Sequence, residues 1–204
     1  MATGSKRSEQ AKPSYGEGRQ ALVRAAIRLV ARDGLAKLTY RSLTAEAGVS
    51  QGSLRHHFPN LNAVLEASLE LCLETTQSYL RKPSGSFEDL FAHLATSLRE
   101  HPEIPAFQTE VFVGARHEPD LKELALRHQE AYRERTRTAL ADAGLPYDED
   151  LVEILVAIAE GIVYQRVVFG ADRAHATDRQ IAGSRRLLSA LTAALTEPAG
   201  HQGG

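Results

Sequence analysis

The chain has 204 residues, with 24 Lys and Arg against 26 Asp and Glu, and hydrophobic residues make up 43% of it. These values are ordinary for a globular protein and exclude wholesale disorder and fibrous classes. A single cysteine excludes an intramolecular disulfide and a zinc site built from several thiolates. The most apolar stretch, residues 151–169, still contains charged side chains, so we expect no membrane helix and a cytoplasmic location.

The formal net charge of −2 conceals an uneven distribution along the chain. Residues 1–60 contain ten Lys and Arg and four acids, a net +6, while the remainder contains 14 basic and 22 acidic residues, a net −8. A basic front part on an acidic body is typical of a protein whose first part meets a polyanion. Charge alone does not separate this interpretation from a chance imbalance.

Apolar residues recur at helical spacing along most of the chain, and no segment alternates like a strand. The first 16 residues lack an apolar period and predict a flexible basic arm over 1–16. Glycine, proline and N-cap residues then divide the remainder. The predicted helices span about 18–33, 39–47, 50–57, 61–81, 86–101, 105–115, 119–143, 150–169 and 178–196. The predicted fold is therefore all-α, with about nine helices and no sheet.

The segment 39–58 predicts two short helices around a sharp turn at Gly48. Its apolar residues would hold the two helices together, and Thr39 and Ser50 are plausible N-caps. Such a helix-turn-helix can place its second helix in a DNA major groove. That helix would present polar side chains suited to base edges and phosphates, namely Gln51, Ser53, Arg55, His56 and His57. An ordinary helical hairpin with a solvated polar face is the alternative.

The same segment resembles the signature of the tetracycline-repressor (TetR) family of bacterial transcription regulators. The residues that carry the resemblance are Gly34, Thr39, Ala45, Ala47-Gly48-Val49-Ser50, Gly52-Ser53-Leu54 and His57-Phe58. The resemblance implies an all-α homodimer with a helix-turn-helix domain over 17–60 that binds palindromic operator DNA. It further implies a helical domain over 61–204 that dimerises and binds a small molecule whose presence releases the DNA.

Carried over to this chain, the resemblance implies DNA contacts from both short helices. The residues are Thr39, Tyr40, Arg41, Ser50, Gln51, Gly52, Ser53, Arg55, His56 and His57. Three positions depart from the family pattern, because Arg55 and His56 replace aromatic residues and Leu61 replaces a lysine. We expect Arg55 and the basic arm to compensate for the phosphate contact that Leu61 cannot make.

The helix predicted over 150–169 is apolar nearly all round, so it must be buried on more than one side. The last helix places Ile181, Leu188 and Leu195 on one stripe. Two such helices from each of two chains would form a four-helix interface between protomers. Burial of both helices in the core of a monomer is the alternative.

Aromatic and polar residues of the body predict a pocket for the small-molecule effector between helices. The candidate pocket residues are Phe91, Phe107, Gln108, Phe112, Tyr132, Glu160 and Tyr164. Glu160 lies inside the apolar helix, where burial would raise its pKa and demand a partner. The alternatives are that the aromatic residues are plain core and that Glu160 pairs with a neighbouring side chain.

The sequence offers no nucleophile–base pair, phosphate loop, carboxylate constellation or metal-ligand spacing, so no catalysis, cofactor or metal is expected. Cys72 on the fourth helix is interpreted as a core filler, and Arg133, Arg135 and Arg137 as a solvated helix face. The predicted function is a DNA-binding repressor released by a ligand. A DNA-binding regulator without a ligand, and an all-α enzyme or carrier, remain the alternatives.

Overall fold

The computed structural model describes residues 15–80 and 89–196, and within these ranges it contains nine α-helices, two short 3-10 helices and no strand. The all-α prediction is confirmed. The α-helices are α1 (Tyr15–Asp33), α2 (Tyr40–Ala47), α3 (Gln51–His57), α4 (Leu61–Leu80), α5 (Asp89–Glu100), α6 (Glu103–Gly114), α7 (Pro119–Asp142), α8 (Glu149–Phe169) and α9 (Ala174–Thr196). The 3-10 helices are Leu35–Lys37 and Gly170–Arg173.

Three helices begin two or more residues earlier than the sequence predicts. α1 begins at Tyr15 rather than at residue 18, so residues 15 and 16 of the predicted arm are helical. α6 begins at Glu103 rather than at Pro105. A helix tolerates proline in its first turn, because the N–H that proline lacks would have no intrahelical partner there. α9 begins at Ala174 rather than at residue 178. The predicted basic arm, up to residue 14, and the first three residues of the helix predicted over 86–101 lie outside the described residues. No described helix combines the length and the apolar character that crossing a bilayer requires.

The first of two apolar cores surrounds α1. Its apolar stripe is buried as the helical spacing predicts, and the side chains of α2 and α3 pack on it. The residues involved are Leu22, Ala25, Ala26, Leu29 and Val30 of α1, with Leu43, Leu54 and Phe58. The short α2 and α3 therefore have fixed orientations, because each contributes a fully buried leucine to a core formed mainly by a longer helix.

This first core continues beyond residue 60 into the helices of the body. It includes Val64, Leu69 and Cys72 of α4, Ile104, Phe107 and Val111 of α6, and Leu121 and Leu124 of α7. Helix α6 also contacts the 3-10 helix directly, because the Glu110 Oε2 accepts a hydrogen bond of 3.2 Å from the Leu35 N–H. The N-terminal helices are thus attached to the body through α6 as well as through α4.

The second core lies between α5, α7, α8 and α9. It is formed by Phe91, Leu98, Leu140, Leu145, Val152, Leu155, Ile162, Ile181 and Leu188. Helix α8 begins at a cap in which the Asp148 side chain accepts a hydrogen bond of 2.8 Å from the Leu151 N–H. This core and the first one meet around α6 and α7, and the space between them forms the cavity described below.

Candidate nucleic-acid interface and ligand cavity

The turn between α2 and α3 is fixed by local side-chain and backbone geometry. Thr39 Oγ1 accepts a 3.1 Å hydrogen bond from the Ser42 N–H, and Ser42 Oγ accepts one of 2.9 Å from the Thr39 N–H. Gly48 ends α2 with φ 67°, a conformation that disfavours any side chain. Ser50 then caps α3 by accepting a 3.1 Å hydrogen bond from the Ser53 N–H. These contacts form the helix-turn-helix that the sequence predicts.

Most of the predicted DNA-contacting residues lie on the surface of this unit. Helix α3 exposes four of them, and the others lie at the two N-cap positions and at the start of α2. The exposed residues are Thr39, Tyr40, Arg41, Ser50, Gln51, Gly52, Arg55 and His56. Ser53 and His57 are partly buried. His57 faces α1, because a Cβ added at Gly18 would lie 2.9 Å from the His57 Nε2.

Charges on α1 and α2 form a separate network beside the turn. The Glu46 carboxylate accepts hydrogen bonds from Arg28 at 3.1 Å and from Arg32 at 3.2 Å. The Arg28 hydrogen bond is the largest cause of the lowered pKa of Glu46. Among the described residues, Arg41 and Arg55 form no ion pair. Their charges are therefore available to a polyanion.

A cavity of about 570 Å³ lies between α5, α6, α7 and α8. Its walls are largely apolar and include six of the seven predicted pocket residues, namely Phe91, Gln108, Phe112, Tyr132, Glu160 and Tyr164. Phe107 lies elsewhere, because its fully buried ring packs in the first core. Successive residues of a helix point about 100° apart, so Gln108 faces the cavity when Phe107 faces α1 and α4.

A buried polar cluster lies on one wall of the cavity. Gln108 Nε2 is 2.7 Å from His128 Nε2 and donates a 2.9 Å hydrogen bond to the Tyr132 hydroxyl. His128 is 5% exposed, and burial lowers its pKa to about 4, so the imidazole is neutral at pH 7. His128 was not included among the candidate pocket residues predicted from the sequence. Its position four residues before Tyr132 on a helix was the available signal.

Glu160 lines the cavity, as its selection as a pocket residue requires, but it is not buried. The side chain is exposed, and its Oε1 accepts a 3.1 Å hydrogen bond from Gln129 Nε2. The structure therefore agrees with the alternative in which Glu160 pairs with a neighbouring side chain. An apolar helix with no polar stripe does not reveal which of its residues are covered, and Glu160 lines the cavity while remaining exposed.

The three arginines predicted to form a solvated face do not behave alike. Arg133 pairs with Glu153, and Arg137 pairs with Glu149 across to α8. Arg135 instead lines the cavity. The prediction is therefore wrong for Arg135, because the side chain of a helical residue follows its own direction and not that of its neighbours in sequence.

Helices α8 and α9 leave large apolar side chains exposed. Five of these side chains are each at least half exposed, namely Ile154, Tyr164, Val168, Phe169 and Leu187. A shallow groove between the two helices is lined by small and apolar residues that include Gly161 and Gly183. Monomeric proteins rarely expose contiguous apolar surface of this kind, so the face is a candidate protein interface.

The described residues contain no group of three or more His, Cys, Asp or Glu side chains that could hold a metal ion. Cys72 is fully buried, and burial raises the pKa of its thiol. A buried thiol is a poor nucleophile because the thiolate is the reactive form. The position of Cys72 in the first core is that of the core filler the sequence suggests.

Two family models match the chain and together account for most of its length. The model described as bacterial regulatory proteins, tetR family, matches residues 22–68. The model described as tetracyclin repressor-like, C-terminal domain, matches residues 82–197. No curated protein matches the chain.

Solved structures of low sequence identity share the fold. A candidate TetR-family transcriptional regulator from Rhodococcus sp. superposes with a TM-score of 0.74 at 20% identity, covering 87% of this chain and 99% of that one. The multidrug binding protein EbrR, complexed with imidazole, is 25% identical over 96% of this chain and 100% of its own, with a TM-score of 0.65. A Saccharomonospora viridis protein in complex with choline is 16% identical over 85% and 96%, with a TM-score of 0.69.

The geometry and the comparisons agree on both parts of the molecule. The first family model covers the helix-turn-helix of α2 and α3, and the second covers the helices that enclose the cavity. The C-terminal model alone spans more than half of the chain. The chain therefore belongs to the TetR family of transcriptional regulators.

Proposed function

We propose that the protein is a homodimeric repressor that binds a palindromic operator and is released from it by a small molecule. The observation that supports this most directly is the exposed α3 of the helix-turn-helix, with Gln51 and Arg55 accessible and Leu54 fully buried beneath them. A recognition helix must combine these two properties, because it has to be rigidly held by the protein and open to the groove.

The side chains of this surface suit both kinds of DNA contact. Gln51 can form paired hydrogen bonds with adenine, and Arg55 can form them with guanine. The hydroxyls of Thr39 and Ser50 and the guanidinium of Arg41 suit phosphate oxygens. Base contacts would give sequence specificity, and phosphate contacts would give register and a dependence of affinity on salt.

Helices α8 and α9 supply the proposed dimer interface. Their large apolar side chains, among them Ile154, Tyr164 and Leu187, are more than half exposed in the single chain. A second copy would cover this face with the same face of its own, as two-fold symmetry requires. The two copies of α3 would then be related by that symmetry, which is why we propose a palindromic site.

The cavity supports the proposal that a small molecule controls DNA binding. Its volume of about 570 Å³ lies within the range typical of ligand sites. Helix α6 contributes Gln108 to the cavity wall and, two residues on, Glu110 to the contact with Leu35. A ligand that is bound more tightly by the conformation unable to bind DNA would shift α6 and the N-terminal helices together.

Structures of the same fold complexed with imidazole, with ethidium and with choline support the proposal that this protein binds a small molecule. A DNA-binding regulator without a ligand is the second candidate, and the enclosed polar cluster in an otherwise apolar cavity favours the ligand-controlled protein. An enzyme or a small-molecule carrier would need no exposed recognition helix.

The test is a selection of binding sites from random duplex DNA by the purified protein, read by sequencing. We expect an enriched palindrome whose retention falls steeply as salt is raised. A variant carrying both Gln51→Ala and Arg55→Ala serves as the matched control, because it keeps the fold but lacks the base contacts. Enrichment of the same sequence by this variant, or of none by the wild type, would contradict the proposal.

A further inference from the structure

Helix α7 contains four arginines in the segment 127–137, and three of them have carboxylate partners. Arg127 pairs with Glu66 at 2.8 Å, Arg133 pairs with Glu153, and Arg137 pairs with Glu149 at 2.7 Å. Arg135 has no carboxylate partner among the described residues. The single unpaired arginine of this segment is the one that lines the cavity.

The contacts of Arg135 hold its guanidinium in place without neutralising it. Its Nη2 donates a 3.0 Å hydrogen bond to the Leu73 carbonyl of α4, and its Cζ lies 5.4 Å from the centre of the Tyr132 ring. Its Nη1 is buried and has no hydrogen-bond partner among the side chains that the structure describes. Burial lowers the pKa of Arg135, but an arginine remains protonated in a protein at neutral pH.

A buried charge with an unused donor is destabilising unless a counter-charge and an acceptor are supplied. Among the described residues that line the cavity, Arg135 is the one cation, and the nearby His128 is neutral at pH 7. The Gln108 amide is already engaged, because it contacts both His128 and the Tyr132 hydroxyl. Arg135 is therefore the group of this wall with an unmet requirement for an acceptor.

We propose that the effector of this cavity is an apolar monocarboxylate whose acid group binds the Arg135 guanidinium and whose body occupies the apolar part of the cavity. The apolar part includes Phe91, Leu98, Phe112 and Leu155. The planar guanidinium matches a carboxylate. One positive charge balances one negative charge, so a ligand of higher charge would bring an uncompensated charge into the cavity. This inference rests on the proposed function and specifies its ligand.

Glu160 is the competing feature, because a carboxylate on the wall would favour a cationic ligand such as those named for some related structures. Glu160 is exposed and already accepts a hydrogen bond from Gln129. Solvent screens its charge more than that of Arg135, which is partly buried and unpaired. The observations therefore favour an anion over a cation.

The experiment compares ligands that share a body and differ only in charge. One series is naphthaleneacetate, naphthaleneacetamide and naphthylethylamine, and a second is decanoate, decanamide and decylamine. Dissociation constants are measured by calorimetry on the full chain, without DNA. We expect the carboxylate of at least one series to bind about tenfold or more tightly than its amide, and the amine to bind least well.

Two variants assign that preference to Arg135. Arg135→Gln is expected to reduce the ratio between carboxylate and amide to near one, and Arg133→Gln, which alters a paired arginine outside the cavity, is expected to preserve it. An amide or amine that binds best in both series, or a ratio that survives in Arg135→Gln, would overturn the inference. The wild-type ratios decide whether the cavity prefers a carboxylate to its amide and amine, even when Arg135→Gln does not fold.

This outcome is separable from that of the proposed function. DNA binding is measured on the same preparations with the selected duplex. Carboxylate binding through Arg135 without any specific DNA binding would support the carboxylate ligand and contradict the repressor function. Specific DNA binding that is reversed only by a cationic or neutral molecule would support the repressor function and contradict the carboxylate ligand.

Discussion

Leu187 of α9 is 58% exposed in the single chain, and we place it in the proposed dimer interface. Fully burying a leucine side chain is worth about 1.5–3 kcal/mol. Covering the exposed 58% would therefore contribute about 1–2 kcal/mol from each protomer. Since two-fold symmetry places the residue in the interface twice, Leu187 contributes about 2–3.5 kcal/mol to the dimer.

Replacement of Leu187 by Glu removes this contribution and places two carboxylates in an apolar interface. We expect the dimer dissociation constant to rise by at least about 20-fold, and by roughly 300-fold at the upper end of the estimate. Sedimentation equilibrium over a range of protein concentrations measures it directly. Circular dichroism of the variant checks that the helices persist, since an exposed side chain contributes little to the fold of the monomer.

Leu126→Glu is the matched control. Leu126 is a leucine of similar exposure, 54%, but it belongs to α7 and lies off the α8–α9 face. We expect this variant to dimerise like the wild type. Equal dimerisation of the Leu187 variant and the wild type would refute the assignment of the interface, and dissociation of the Leu126 variant alone would move the interface to α7.

Three further predictions follow from single residues. Gly114→Ala would place a Cβ 2.4 Å from Leu35 Cδ2, so urea unfolding should show a loss of about 1–3 kcal/mol, which Leu35→Ala in the same chain should relieve. His128 gains its proton near pH 4 in the folded state and near pH 6.5 when unfolded. The free energy of unfolding should therefore fall by up to about 3 kcal/mol as the pH is lowered from 6.5 to 4, because the unfolded chain then binds a proton that the folded chain does not. His128→Asn should remove that part of the pH dependence, and a variant that keeps it would assign it elsewhere. Arg55→Ala should weaken binding to the selected duplex by roughly five- to 150-fold, measured by fluorescence anisotropy, and an unchanged affinity would remove Arg55 from the interface.

The helix-turn-helix could be predicted from sequence because its determinants are local. The cap at Thr39, the left-handed Gly48 and the cap at Ser50 each act within a few residues, and each is present in the structure. Burial of the apolar stripe of α1 could be predicted equally well, because a helix with a single apolar face buries that face. Local signals of this kind do not depend on how distant helices pack.

The cavity was only partly predictable, because its walls depend on how distant helices are rotated. Glu160 remains exposed although it belongs to an apolar helix, whereas Arg135 lines the cavity although it belongs to a charged one. The neighbours in sequence of each residue indicate the opposite environment. The contact of Leu35 with Glu110 joins residues 75 positions apart, and no pattern in one sequence marks such a pair.

The most direct test of the account is a titration of the protein onto the selected duplex, with the number of protomers per duplex counted at two salt concentrations. We expect two protomers on each palindrome, an affinity that falls steeply with salt, and weaker binding to a scrambled duplex of the same length. Equal affinity for the selected and scrambled duplexes, or one protomer on each palindrome, would contradict the claim that α3 reads DNA as part of a symmetric dimer.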